Sequence, residues 1–183
     1  MSRNIVFVSA SPSPSSRSTF VARATASMVQ RAGWSPVFFS LADFDPADVF
    51  LGRSAAESVT LFLEAVKAAS GVVLSTPVYK ASYTGSLKAI IDLVPPDALF
   101  GKSALGISTG KQSAHGAGVD SAYRALFAFF RTRTQGTLFV HDDELQLAEG
   151  AGRFVPAAES RVEEAARAFV QSIAETTAAA AHP

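Results

Sequence analysis

No cysteine occurs anywhere in the 183 residues. That removes disulfides, thiolate nucleophiles and cysteine-ligated metals together. Excess charge is missing too, with Lys plus Arg and Asp plus Glu at 16 each. Nucleic-acid binding wants clustered, surplus Lys and Arg, so no nucleic-acid partner is expected. A strongly acidic electron carrier that docks by charge is disfavoured as well. No apolar run reaches the length of a membrane span, and no membrane partner is expected. The run Ile5 to Val8 is far shorter than a signal core, so the expected setting is the cytoplasm. Two phosphate fingerprints are absent. Without G-x-G-x-x-G the chain is poorly suited to a dinucleotide pyrophosphate, and without G-x-x-x-x-G-K-[ST] it has no Walker loop. Neither candidate histidine has a neighbourhood that pairs it with a nucleophile.

What is present is apolar and periodic. Hydrophobic residues make up 48% of the chain, enough for a sizeable core. The length suits one domain, read here as residues 1–176 with an Ala-rich tail, 177–183, expected to fray. "NIVFVS" (Asn4 to Ser9), "GVVLST" (Gly71 to Thr76), "KSALGIST" (Lys102 to Thr109) and "GTLFVH" (Gly136 to His141) have the length and apolarity of strands buried on both faces. "WSPVFFSL" (Trp34 to Leu41) is a fifth strand, and Pro36 marks it as an edge. Helical spacing appears from Ser18 to Gly33, then at Val59, Phe62, Leu63 and Val66, and over Leu87 to Val94. It returns at Tyr123, Leu126, Phe127 and Phe130, and at Val162, Ala166, Phe169 and Ile173. Ser54 to Glu57 has the form of a capping box. Residues 42–53 and 142–154 read as loops.

Strand and helix alternate five times, which demands crossover connections and a parallel sheet. The expected architecture is α/β, a flavodoxin-like three-layer sandwich with strand order 2-1-3-4-5 and helices on both faces. Ligands of such sheets bind at the carboxyl ends of the strands. The loops there are Ser9 to Ser18, Pro77 to Ser86 and Gly110 to Gly118, all rich in Ser, Thr and Gly. The first enters a helix N-terminus, where free N–H groups and the dipole attract anions. Ser11, Ser16, Ser18 and Thr19 add hydroxyls and Arg17 a cation, the chemistry of a monophosphate cradle. The same composition also describes a Ser/Pro turn with a serine cap.

The motifs carry a resemblance. "SPSPSSRST" is similar to the first loop of the NAD(P)H-dependent FMN reductase family, roughly G-S-x-x-x-x-S-R-S-S. "TPVYKASYTGSLKAIIDLVP" resembles the family's P-x-Y-x-x-S-x-x-G-x-L-K, with Pro77, Tyr79, Ser82, Gly85, Leu87 and Lys88 in step. "STGKQSAH" resembles its third loop, usually Thr-Gly-Gly. The likeness spans Ile5 to about Glu144 and is nearest to the reductases of alkanesulfonate-utilisation systems. It implies FMN as cofactor and NADPH or NADH as hydride donor. Ser11, Arg17, Ser18 and Thr19 would hold the phosphate. Pro77, Val78, Tyr79 and Lys80 would line the isoalloxazine, with Thr109, Gly110 and Lys111 approaching from the other side. The implied activity is NAD(P)H-dependent reduction of FMN, supplying a partner monooxygenase or another acceptor, from a homodimer or tetramer. An FMN-containing quinone, azo-dye or metal-oxyanion reductase and a non-enzymatic flavodoxin-type carrier stay open beside it. No side chain is assigned a catalytic proton transfer, because hydride transfer needs ring stacking and water exclusion rather than an acid/base pair.

Three positions depart from the family pattern. Ala10 replaces the first Gly, which extended backbone tolerates. Lys111 replaces the second Gly of the third loop and would be strained at positive φ. Ser121 stands where the sulfonate-system enzymes carry an aromatic residue that goes with a π-bulge and released flavin. An unbroken helix is therefore expected here, with FMN held more firmly. Tyr123 is the residue that would replace that ring by a shifted register. His115 reads equally as an acid near flavin or a solvent-facing histidine. "HDDE" (His141 to Glu144) has metal-ligand residue types, but adjacent strand residues alternate faces and converge poorly, so no metal is expected. Lys80 and Lys88 suit surface charges, and Phe127, Phe129 and Phe130 suit core or subunit interface.

Overall fold

The computed structural model describes residues 3–13, 15–148 and 151–180. Its central sheet contains β1 (Asn4–Ser9), β2 (Ser35–Ser40), β3 (Gly71–Pro77), β4 (Ser103–Gly110) and β5 (Arg133–His141). All neighbours are parallel, as strand–helix alternation requires, and the order is β2-β1-β3-β4-β5, the flavodoxin-like order expected. Pro36 lies on the edge strand, where a missing N–H is tolerated.

Continuous apolar runs arise because each strand feeds two cores. In β1, Ile5 and Phe7 face one core with Val21, Val29 and Phe169, while Val6 and Val8 face another with Phe62, Leu87 and Tyr123. In β3, Val73 joins the first core and Val72 and Leu74 the second. Helices α1 (Arg17–Arg31) and α6 (Pro156–Ala180) cover the first face. The second face is covered by α3 (Glu57–Ala68), α4 (Gly85–Ile91) and α5 (Ser113–Phe129), with the short α2 (Pro46–Phe50) beside α4. In register, Ser9 pairs with Ser75 and Pro77 with Thr109, so the first, second and third loops leave one edge of the sheet together. Among the described residues no helix is long and apolar enough to cross a membrane.

Several local expectations need correction. Residues 42–53 hold α2 rather than an open loop. Asp45 caps it through Oδ1, 2.7 Å from Ala47 N, and Pro46 occupies the first turn. That pairing is a helix-start signature. The Ser54–Glu57 capping box does not form. Turns after Gly52 displace the start of α3 to Glu57, and its cap, Ala56, has no side-chain bond to give. Residues 142–154 hold a single 3₁₀ turn, Asp142–Glu144, and an antiparallel pair, β6 (Leu145–Ala148) and β7 (Ala151–Phe154). The last helix runs to Ala180, and residues 181–183 of the expected tail lie outside the described residues.

The largest difference is α5. It begins at Ser113, so most of the expected Gly110–Gly118 loop is helix. Two glycines inside a helix depress intrinsic propensity. Tertiary packing overrides that cost here. A Cβ on Gly116 would press on the Phe139 ring at 3.0 Å, and one on Gly118 would collide with the Ala81 carbonyl. The glycines let α5 approach β5 and the second loop. The helix is α-helical throughout, without a π turn at Ser121, whose Oγ donates to Ala117 O at 3.0 Å. Tyr123 does not line the cavity at the strand ends, although its ring lies 5.7 Å from that of Tyr83 in the second loop. It is fully buried, stacks on Phe127, and its hydroxyl reaches the carbonyls of Leu74 and Ile107 at 2.9 and 3.1 Å.

Candidate active site

The carboxyl ends of β1, β3 and β4 enclose a cavity of about 620 Å³, within the usual range for small-molecule sites. Its first wall is the loop before α1. Ser16 caps that helix, accepting from Thr19 N at 3.1 Å. Geometry then leaves the first amides of α1 without intrahelical partners, aimed out of the helix end. The hydroxyls of Ser11, Ser13, Ser15 and Ser16 and the Arg17 side chain line the cavity.

Ser18 and Thr19 do not line it. Both are buried. Thr19 Oγ1 bonds Ser9 Oγ and Ser16 Oγ at 2.8 Å each, and Ser18 Oγ bonds Ser16 Oγ at 3.1 Å. The Ser18 carbonyl accepts from Ser75 Oγ at 2.8 Å. Their hydroxyls, with the Ser18 carbonyl, tie the cradle to β1 and β3, while the Ser18 amide belongs to the free first turn of α1. Spacing could not separate Ser18 and Thr19 from Ser13 and Ser15, because hydroxyl residues recur through the loop and into the first turn of α1.

The second wall is Pro77, Val78 and Tyr79. Val78 N donates to Thr109 O at 2.9 Å, and Tyr79 and Ser82 exchange two backbone bonds of 3.0 and 3.1 Å. The turn between them holds Lys80 at φ +52° and Ala81 at φ +60°, conformations that cost non-glycine residues roughly 1–2 kcal/mol each. The amides of Val78 and Tyr79 are therefore committed within the protein. Lys80 does not line the cavity, whereas Tyr79 stands at its rim with 53% of its surface exposed. Thr84 and Ser86 donate to Ala10 O at 3.1 and 3.2 Å, which joins the second loop to the first. Ala10 is buried in non-positive φ, so the missing glycine costs nothing there. Lys88 pairs with Asp92 one turn on and stays outside the cavity.

Thr109, Gly110 and Lys111 form the third wall, with Gln112 and His115 beyond. Lys111 is not at positive φ, so the expected strain is absent. Its carbonyl accepts from His141 Nε2, while His141 Nδ1 accepts from Asp143 N at 3.3 Å. A Cβ on Gly110 would meet Val78 and Phe139 at 3.4–3.5 Å, ordinary contact, so internal packing alone does not demand glycine.

Asp142, absent from the sequence reading as a site residue, is the one carboxylate on the cavity wall among the described residues. It faces Arg17, Oδ1 to Nε 3.9 Å. The "HDDE" segment binds no metal-ligand cluster of three or more groups among the described residues. It forms the turn that places Asp142. Glu144 anchors that turn, accepting from His141 N at 2.8 Å and from both Arg161 nitrogens at 2.8 Å. The Arg161 guanidinium holds the Glu144 carboxyl below its usual range.

Helix-end amides, four hydroxyls and a cation at one end, with an apolar wall and backbone at the other, suit a phosphate tail and a planar ring. With a 2-1-3-4-5 sheet, this defines a flavodoxin-like nucleotide-binding α/β protein. Residues 3–145 match the family described as NADPH-dependent FMN reductase. The chain is 34% identical over 173 residues to an FMN reductase (NADPH) of Pseudomonas putida KT2440, covering 93% of this chain and 88% of that one. It is 31% identical to the FMN reductase (NADPH) of Escherichia coli K12, over 74% and 71% of the two chains. The apo structure of the NADH:FMN oxidoreductase EMOB superposes with a TM-score of 0.83 at 29% identity, over 92% and 89% of the two chains. A flavodoxin of Streptococcus pneumoniae shares the fold, with a TM-score of 0.62 at 13% identity over 92% and 98%. The chain belongs to the NADPH-dependent FMN reductase family. It is an oxidoreductase that uses FMN and NAD(P)H.

Proposed function

We propose that the described cavity is the flavin site. The phosphate would lie at the N-terminus of α1 against Ser11, Ser13, Ser15, Ser16 and Arg17. The ring would lie between Pro77–Tyr79 and Thr109–Lys111. FMN, when bound, supplies the acceptor for a hydride from the nicotinamide and passes its electrons onward. The chain's contribution is to hold, orient and shield. Arg17 and the α1 amides fix the anionic end by charge and hydrogen bonds. Val78 and the backbone at Gly110 set the depth of the cleft. Tyr79, half exposed at the rim, offers a face to whatever docks from solvent. No proton needs to be moved by a side chain, because hydride transfer rests on ring stacking and water exclusion.

The carrying observation is the convergence of a serine-lined helix end and an apolar wall on one edge of the sheet. The cleft opens to solvent beside Tyr79, so reduced flavin could pass to a partner monooxygenase or another acceptor. The setting we propose is the cytoplasm. We also propose a homodimer or tetramer. On α4 and α5, Leu87, Ile90, Tyr123 and Phe127 are buried in the core and unavailable to a second copy. Phe129, 63% exposed, with Leu126 and Tyr83 around a cleft between α4 and α5, is the patch left to cover. Mixing the protein with FMN and either NADPH or NADH tests the activity. Loss of absorbance at the nicotinamide band, dependent on both, is expected. No turnover with either nucleotide sinks the reading.

A further inference from the structure

The flavin phosphate site contains a group of the wrong sign. Asp142 lies on the cavity wall with its side chain 14% exposed, and its carboxylate faces Arg17. A carboxylate there opposes a phosphate dianion, and the neighbouring walls show no structural need for it. Among the described residues the Asp142 side chain has the Arg17 ion pair and no hydrogen bond. The turn that carries it is pinned by Glu144, through His141 N and the Arg161 fork, and by His141 on Lys111 O. Asp142 therefore stays where it is when its partner leaves.

The pair with Arg17 is built loosely. At 3.9 Å from Nε to Oδ1 it is an ion pair without a hydrogen bond, which needs about 2.7–3.2 Å. Arg17 is the first residue of α1, its side chain is 44% exposed, and among the described residues its guanidinium makes this one ion pair. A phosphate forms charge-assisted, bidentate bonds with such a group and outcompetes a distant carboxylate. Having lost Arg17, the fixed carboxylate then faces the phosphate across the same guanidinium.

We propose that Asp142 is a resident counter-anion of the phosphate cradle. It occupies Arg17 in the free protein and opposes the phosphate in the complex, so it sets how readily FMN exchanges. This rests on the reading that the FMN phosphate binds at Arg17. Asp142 acts by charge, on Arg17 and on the phosphate, and it touches no reacting atom. A reductase that hands flavin to a partner gains from such a group, because product leaves a site that never neutralises it fully.

Flavin-fluorescence titrations of FMN and of riboflavin test the proposal, on the wild type, Asp142→Asn and Asp142→Ser. Removing a like charge at this range is expected to tighten FMN by about 3- to 10-fold in both variants. Riboflavin, which has no phosphate, should change less than about twofold. In an Arg17→Ala background the gain from Asp142→Asn should shrink. Unchanged FMN affinity overturns the proposal. So does weaker FMN binding with riboflavin unaffected, because Asp142 would then be orienting Arg17 toward the phosphate. Parallel losses for both ligands overturn it too, by making Asp142 a structural part of the turn. Wild-type protein that binds FMN no better than riboflavin removes the cradle itself, and the proposal with it. That last result is distinct from a cradle that works but ignores Asp142.

Discussion

The carbonyl of Ala81 occupies the space where a side chain on Gly118 would begin. This contact braces the second loop against α5, and it is rigid because both partners are backbone. Gly118→Ala must push the Tyr79–Ser82 turn away from the helix. Overpacking of this kind costs about 1–3 kcal/mol. A lower melting temperature together with weaker FMN binding is expected. Unchanged affinity would show that the turn does not shape the flavin site.

The same turn stores strain. Ala81 has φ +60°, which glycine adopts without steric cost. Ala81→Gly relieves left-handed strain but adds freedom to the unfolded chain, about 0.4–1 kcal/mol against it. A net stabilisation of up to about 1 kcal/mol is expected from the difference. Denaturant midpoints at constant slope measure it, and a destabilised variant contradicts the strain argument.

Arg17 is the first residue of α1 and lines the cavity at its amides. Arg17→Ala is expected to weaken FMN by about 1–3 kcal/mol, the usual loss for a hydrogen bond to a charged group. Riboflavin should be nearly indifferent. Equal losses for the two flavins would remove the phosphate from this end of the cavity.

Glu144 gives the turn at Asp142 a pH dependence. Its carboxyl is held below the ordinary 4.5, first by the Arg161 hydrogen bonds. A depressed carboxylate contributes stability that is present above its unfolded value and is lost as pH falls through the folded value. Wild-type stability should therefore decline below about pH 4.5. Glu144→Gln, which breaks a partly exposed pair, should cost about 0.5 kcal/mol at neutral pH and flatten that decline. Thermal melts from pH 3 to 7 distinguish the two slopes (an approximate span chosen around the ordinary carboxylate range).

Phe129 is the exposed ring of the α5 patch, at 63%. A charge at a buried subunit contact is costly, so Phe129→Asp should shift the protein toward monomer at micromolar concentration. Light scattering reads this directly. A wild type that is already monomeric and active would remove the proposed assembly.

Much of the molecule was decided by local pattern. Runs such as Ile5–Val8 and Val72–Leu74 are apolar at every position because they feed two cores, which marks central parallel strands. Pro36 identified the edge, and the order followed from strand–helix alternation and crossover geometry. The serine-rich loop announced a helix end and an anion. Other features depended on contacts between distant segments. No propensity would start a helix at Ser113 ahead of Gly116 and Gly118, yet Phe139 and Ala81 need those bare positions. Ser18 and Thr19 are chemically equivalent to Ser13 and Ser15 in sequence, and only the path of the chain into α1 turned the first pair inward to Ser9 and Ser75. Asp142 reached Arg17 because the turn after β5 and the start of α1 lie at the same end of the sheet. Periodicity reports which face of an element is apolar. It carries no information about which polar group meets which, since that depends on where separate elements stop relative to one another.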